Sequence, residues 1–171
     1  MLNIFEAKNY QENQFNLPFM NNNQIIPQRD VVLSIKPQYS EKIILGRKTV
    51  ELRRRFPLNI PKGTMAYVYS TTPVRAIVGY AEIKGVLKKS VAQIWHDHSD
   101  TAFIKKEDFD AYFEGVEYGF VLCFENACAL ENVIKLDELR EKYHFQPPQS
   151  FLYAKPLLKV ALENEYTSLP N

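Results

Sequence analysis

Apolar and polar positions divide this chain into short strand-like runs separated by helical stretches. Val31 to Lys36 reads as a strand. Pro37 to Leu45 reads as a helix: proline suits the first helical position, where its missing N–H costs nothing, and Tyr39, Ile43 and Ile44 share an apolar face. Gly46 supplies a left-handed turn that ends it. Thr49 to Phe56 then reads as a strand in which Val50 and Leu52 point to a core while Thr49, Glu51 and Arg53 point the other way. Arg54 falls on the face opposite Arg53, and Arg55 lies further along the charged side. Pro57 and Pro61 keep the next connection irregular until Lys62-Gly63.

Ala66 to Thr72 and Arg75 to Lys88 read as a hairpin with Pro73 near its tip, and Gly79 and Gly85 permit bends in the second arm. Helices are expected from Ser90 to Asp97, with Val91, Ile94 and Trp95 inward, and from Lys106 to Phe113, with Phe109, Tyr112 and Phe113 inward. The most apolar run, Tyr118 to Phe124, predicts a central strand, followed by another from Cys128 to Ile134; Val78, Leu122 and Phe124 are expected to be buried. Asp137 to Tyr143 predicts a short helix. Pro147 to Tyr153 predicts a stiff extended segment able to present Gln149, Ser150 or Tyr153.

These elements predict an α+β fold, mostly β, in which a small β-barrel is surrounded by short helices. A length of 171 residues with 46% hydrophobic side chains suits one domain. Its expected limits are residues 30–162, after a polar extension over residues 1–29 and before a polar tail over 163–171. The extension is rich in Asn and Gln, with Phe15, Leu17, Phe19 and Met20 able to dock on the domain. Cys123 and Cys128 lie in strand-like sequence without disulfide or zinc spacing, which predicts buried thiols. No run approaches the roughly 20 apolar residues of a membrane helix, so a soluble, cytoplasmic protein is expected.

Net charge is only +1, but it is unevenly spread. Lys42 to Lys62 carries seven basic residues against Glu51, while His96 to Glu117 carries seven acids against Lys105 and Lys106. The field of each segment reaches about a Debye length, roughly 10 Å, so a local basic patch can attract phosphate in a neutral protein. The acidic segment, residues 96–117, would suit a basic protein partner.

The densest polar chemistry lies in Gly46-Arg47-Lys48-Thr49-Val50-Glu51-Leu52-Arg53. A carboxylate and a guanidinium share one strand face, with Lys48 entering from the turn, a compact cluster able to hold an anion. The spacing Gly-x-Lys-x-x-Glu-x-Arg, occupied by Gly46, Lys48, Glu51 and Arg53, resembles the signature of the ASCH family, the ASC-1 homology domains of the PUA-like superfamily. The preceding strand and helix and the following Gly turn and strand match the element order of that family.

The resemblance implies a PUA-like β-barrel with a cleft beside the motif, binding RNA or a nucleotide, with a regulatory role in transcription or translation. The enzyme alternative it implies is a metal-independent hydrolase acting on RNA or on an acylated cytidine, with Lys48 and Glu51 catalytic and Ser150 and Tyr69 as further candidates. The hydrolase pattern for acylated cytidine has a threonine where Glu51 stands here, which sets this chain apart from it.

Ligand contacts are expected from Lys48, Glu51, Arg53, Tyr69, Ser70, Thr71, Gln149 and Ser150. Lys48 would contact phosphate, or act as a base if burial lowers its pKa; Glu51 would accept from a base amino group or move protons; Arg53 would fork onto phosphate. Tyr67 and Tyr69 are residues able to stack a base, although a strand tyrosine more often packs in a core. For the charged triad the plainer alternative is a surface ion-pair ladder of about 0 to 1 kcal/mol. His96-Asp97-His98 with Asp100 offers no spaced third ligand, so no metal and no cofactor are expected.

Overall fold

A computed structural model describes residues 29–167. Strand β1 (Val31–Ile35) leads into helix α1 (Pro37–Ile44), then β2 (Val50–Arg53), β3 (Thr64–Ser70) and β4 (Ala76–Ser90). Helices α2 (Val91–Ala102) and α3 (Lys106–Phe113) follow, then β5 (Tyr118–Lys135), α4 (Leu136–Tyr143), β6 (Phe151–Tyr153) and α5 (Pro156–Thr167). The six strands form one mixed sheet in the order β2-β5-β4-β3-β1-β6; β1 runs parallel to β3 and the other neighbours are antiparallel.

The sheet curls into a half-barrel because its two longest strands cannot stay straight. β4 and β5 pair along most of their length, and their register shifts between Ile77 and Gly79, between Tyr80 and Glu82, and between Ile83 and Gly85. Each unpaired residue bends the ladder and adds twist. The shift at Val78 is also why that residue is only half-buried, against expectation, while Leu122 and Phe124 are buried as expected. The stretches read as two strands around Phe124 and Cys128 are one continuous strand, β5, in which both thiols are free and half-buried rather than buried.

Alternation along the strands builds three core layers. Val31, Leu33, Ala66, Val68, Ile83 and Leu122 fill the inside of the half-barrel with Ile43 and Phe56. Val32, Tyr67, Tyr69, Ile77 and Ile134 face outward beneath α4 and α5. Val50, Leu52 and Val121 pack under α2 and α3 against Ile94, Phe109 and Phe113. The latter helices are separated by Phe103, Ile104 and Lys105, and α2 starts with a capping box between Ser90 and Gln93. Helix α5 continues through residues that read as a polar tail, because Leu158 and Leu162 give it a buried stripe. The expected extension, apart from Arg29, lies outside the described residues. No described helix is long and apolar enough to cross a membrane.

Two contacts fix the approach to the motif. In α1 the buried Ser40 hydroxyl meets that of Ser70 at 2.9 Å, tying the helix to the end of β3. The chain leaves α1 through Gly46 (φ 68°), while the amides of Arg47 and Lys48 both return to the carbonyl of Lys42 at 2.9 Å. The helix also rests directly on the β4–β5 backbone at Gly79, where an added Cβ would stand 2.4 Å from the Cys128 carbonyl oxygen and 2.5 Å from the Ile44 side chain. Gly79→Ala is therefore expected to lower unfolding free energy by about 1 to 3 kcal/mol or more, read as a lower urea midpoint with an unchanged denaturant slope.

Candidate functional site

The two edges of the half-barrel approach one another across a cleft of about 480 Å3. One wall is β2 with Lys48, Glu51, Leu52 and Arg53; the other is the end of β1 with Ser34, Ile35, Lys36 and the first turn of α1 at Tyr39. The connection between α2 and α3, with Ala102 and Ile104, and the inner face of α3, with Asp108, Ala111 and Tyr112, form a third side, and Gln149 completes the rim.

Strand alternation delivers Glu51 and Arg53 to the cleft and Val50 and Leu52 to the core beneath α2 and α3, as the sequence predicts. The charges are not a surface ladder. Lys48 is 3% exposed and Arg53 is 6% exposed. Glu51 lies between them, one carboxylate oxygen 3.3 Å from Lys48 Nζ and the other 3.2 Å from Arg53 Nη2. The Lys48 ammonium also donates to the carbonyl oxygen of Ala102 at 2.7 Å and lies 5.3 Å from the centre of the Tyr39 ring. Of its three protons, two have protein acceptors, leaving one for the cleft. Burial pushes the Lys48 pKa below the ordinary 10.5, against the opposing pull of Glu51; Arg53 and Lys42 push in the same direction as burial.

Arg53 is more constrained than a phosphate fork. Its Nη1 donates to the carbonyl oxygen and to Oγ of Ser150, both at 3.3 Å, and its Nη2 donates to the carbonyl oxygen of Ser34 at 3.1 Å as well as facing Glu51. The four Nη hydrogens thus have four partners within the protein, and buried Nε has none among the described residues. Arg53 bridges the edges of the half-barrel. Ser150 accepts from Arg53 through its hydroxyl oxygen, so its own hydrogen is left to donate.

The expected residues therefore separate into two groups. Lys48, Glu51, Arg53, Gln149 and Ser150 come together. Tyr69 lies beneath α4 with its ring 5.5 Å from that of Phe145, Ser70 holds Ser40, and Thr71 is in the β3–β4 turn; none of the three lines the cleft. Alternation explains the error: Tyr69 shares its strand face with Tyr67 and the outer core, one sheet face away from the motif.

Tyr39 and Tyr112 supply the aromatic walls instead. Tyr39 belongs to the expected apolar face of α1 and also lines the cleft. Tyr112 reaches the open edge of β2, its hydroxyl 3.4 Å from the Leu52 carbonyl oxygen and accepting from the Arg54 amide at 3.3 Å. Burial raises its pKa, so it stays a phenol at neutral pH. This wall comes from the acidic segment. Asp97 pairs with Lys89 at 2.6 Å and Asp110 pairs with Lys106, while Asp108 faces the cleft. Among the described residues no group of three or more His, Cys, Asp or Glu side chains is placed to hold a metal ion.

A family model for a domain of unknown function, DUF365, matches residues 28–152. An ASCH domain-containing ribonuclease of Zymomonas mobilis is 33% identical over 132 residues, spanning 76% of this chain and 88% of that protein. The chain belongs to the ASCH family. A crystal structure of the Zymomonas mobilis ASCH protein, carrying a serine-to-alanine substitution, superposes with a TM-score of 0.75 at 29% identity, covering 80% of this chain and 96% of that one. Human THYN1, crystallised with DNA containing 5-methylcytosine, shares the fold alone, with a TM-score of 0.51 at 10% identity over 83% of this chain and 99% of that one. The ASCH half-barrel and its motif strand thus agree with the architecture expected from sequence.

Two measurements test this site. Because Lys48 has a lowered pKa when folded, the unfolded chain holds more protons between that pKa and 10.5, so stability rises with pH across this window. Urea unfolding from pH 7 to 10 is expected to show this rise in the native protein and to lose it in Lys48→Met. Arg53→Ala, which leaves the partly buried Glu51 without one cation and strips both sheet edges of a donor, is expected to cost about 3 to 5 kcal/mol. Arg54→Ala, on the exposed face, should cost under about 1 kcal/mol.

Proposed function

We propose that this ASCH protein binds single-stranded RNA in the cleft and cleaves it without a metal ion. The observation that carries the reading is the buried Lys48, whose pKa is lowered by burial and whose remaining ammonium proton faces a cleft of nucleotide size. The similarity to an ASCH domain-containing ribonuclease supports RNA as substrate. The occupation of both Glu51 oxygens by Lys48 and Arg53 supports chemistry that does not enlist Glu51 as a metal ligand.

The reaction that suits these groups is attack of a ribose 2′-oxygen on the adjacent phosphorus. The neutral form of Lys48 takes the 2′-hydroxyl proton, the new O–P bond forms, and the bond from phosphorus to the 5′-oxygen breaks. A proton on that leaving oxygen comes from a cleft hydroxyl, with Ser150 and Tyr39 available, or from water. The products are a 2′,3′-cyclic phosphate and a 5′-hydroxyl. Arg53 stabilises the charge on the phosphoryl oxygens through its field, and Glu51 holds the two cations apart and oriented. The residue class at Glu51 separates this site from the threonine-bearing pattern for acylated cytidine.

The test is incubation of end-labelled single-stranded RNA with the protein, with and without EDTA, and analysis of the product ends. Cleavage with cyclic phosphate ends, unchanged by EDTA, is expected. Lys48→Ala should lower the rate by about 100-fold or more, the scale of a lost general base. Retention of a salt-sensitive complex with no product would make this a binding protein, the form a regulator of transcription or translation would take. Cleavage lost with EDTA and restored by one divalent ion would overturn the mechanism.

A further inference from the structure

Between the cleft-lining residues Ala102 and Ile104 stands Phe103, whose placement the fold does not require. It ends α2 in the left-handed region at φ 52°, where glycine is the favoured residue and a bulky side chain carries a steric penalty. Phe103 is 43% exposed and joins none of the three core layers, although the preceding residue, Ala102, belongs to the layer built on Ile94, Phe109 and Phe113. The next residues on the same connection are Ile104, which lines the cleft, and Lys105, exposed and in no ion pair among the described residues. The carbonyl preceding Phe103 belongs to Ala102, the acceptor that holds the Lys48 ammonium at 2.7 Å. The ring is thus tied by one peptide unit to the centre of the site.

We propose that Phe103 is a stacking platform for an unpaired nucleobase of RNA lying across the cleft mouth, with Lys105 beside it for the adjoining phosphate. The inference rests on the RNA reading above and adds to it the part of the substrate that is recognised. An exposed ring accepts any base face, so the platform selects single-stranded over paired RNA and favours no particular base by hydrogen bonding. Duplex RNA keeps its base faces stacked on one another and cannot use it. The left-handed backbone ends α2 and leaves Phe103 outside the three core layers, on the connection whose neighbouring residues Ala102 and Ile104 line the cleft.

The experiment uses a fluorescein-labelled 2′-O-methyl oligoribonucleotide, which lacks the attacking hydroxyl and so binds without being cut, followed by anisotropy. Phe103→Ala and Phe103→Gly are expected to weaken binding by about 5- to 150-fold, the range for one aromatic–base stack, while Phe103→Tyr retains most of the affinity. Phe103→Gly should melt at or above the native temperature, because glycine is relieved of the left-handed penalty. An abasic position scanned along the oligonucleotide should, at one place, weaken the native protein and leave Phe103→Ala unaffected. Native-like binding by Phe103→Gly, with binding still lost in Lys48→Ala, overturns the platform and leaves the cleft reading standing. Abasic losses of equal size in the native protein and in Phe103→Ala at every position also overturn it. Absence of binding by the native protein removes the RNA reading and the platform together.

Discussion

A half-barrel has two free edges, and here a single guanidinium spans them. Arg53, on edge strand β2, donates to the carbonyl oxygens of Ser34 and Ser150, at the ends of β1 and β6 on the far side of the sheet. Taking a guanidinium out of water is costly, and an arrangement of this kind persists only where acceptors and a counter-charge surround it. The two carbonyl oxygens, the Ser150 hydroxyl and the Glu51 carboxylate meet that condition. The cleft is the space left where the curled sheet stops short of closing, and the Arg53 bridge sets its width.

The rest of the site follows from charge balance inside that gap. Two cations flank one carboxylate, which leaves the buried cluster with an excess of positive charge suited to an anion. Glu51 attracts the Lys48 proton and burial opposes its charge; burial is the larger effect, and Arg53 and Lys42 add to it. A lysine in this position is still available as a donor yet holds its proton less tightly than a surface lysine. The helices bearing most of the acidic residues close the third side. Two of their acids are held by lysines, Asp97 by Lys89 and Asp110 by Lys106, while Asp108 faces the cleft.

Much of this was legible in residues close together in sequence. Pro37 and Gly46 bound α1 because ring geometry and the absence of a Cβ act locally. Val50, Glu51, Leu52 and Arg53 divide between core and cleft because side chains alternate along any strand, whatever surrounds it. The Gly-x-Lys-x-x-Glu-x-Arg spacing carried the ASCH assignment for the same reason: all its residues sit on one turn and one strand. The apolar run of β5 likewise announced a central strand without naming its partners.

Tertiary structure decided what each local face meets. Tyr69 and Tyr39 are both amphipathic aromatics near a strand end, yet curling of the sheet turns Tyr69 beneath α4 and leaves Tyr39 beside Lys48. Ser150 enters the site because the sheet closes far enough to bring β6 within hydrogen-bond reach of β2, a contact spanning 97 positions. Residues 163–167, expected as polar tail, continue α5 because Leu158 and Leu162 suffice once a core lies beneath them. Alternation and capping depend on bond geometry within a few residues, so sequence alone determines them. Which face becomes a cleft depends on bulges, curl and the meeting of distant edges, and those are set by packing of the whole chain.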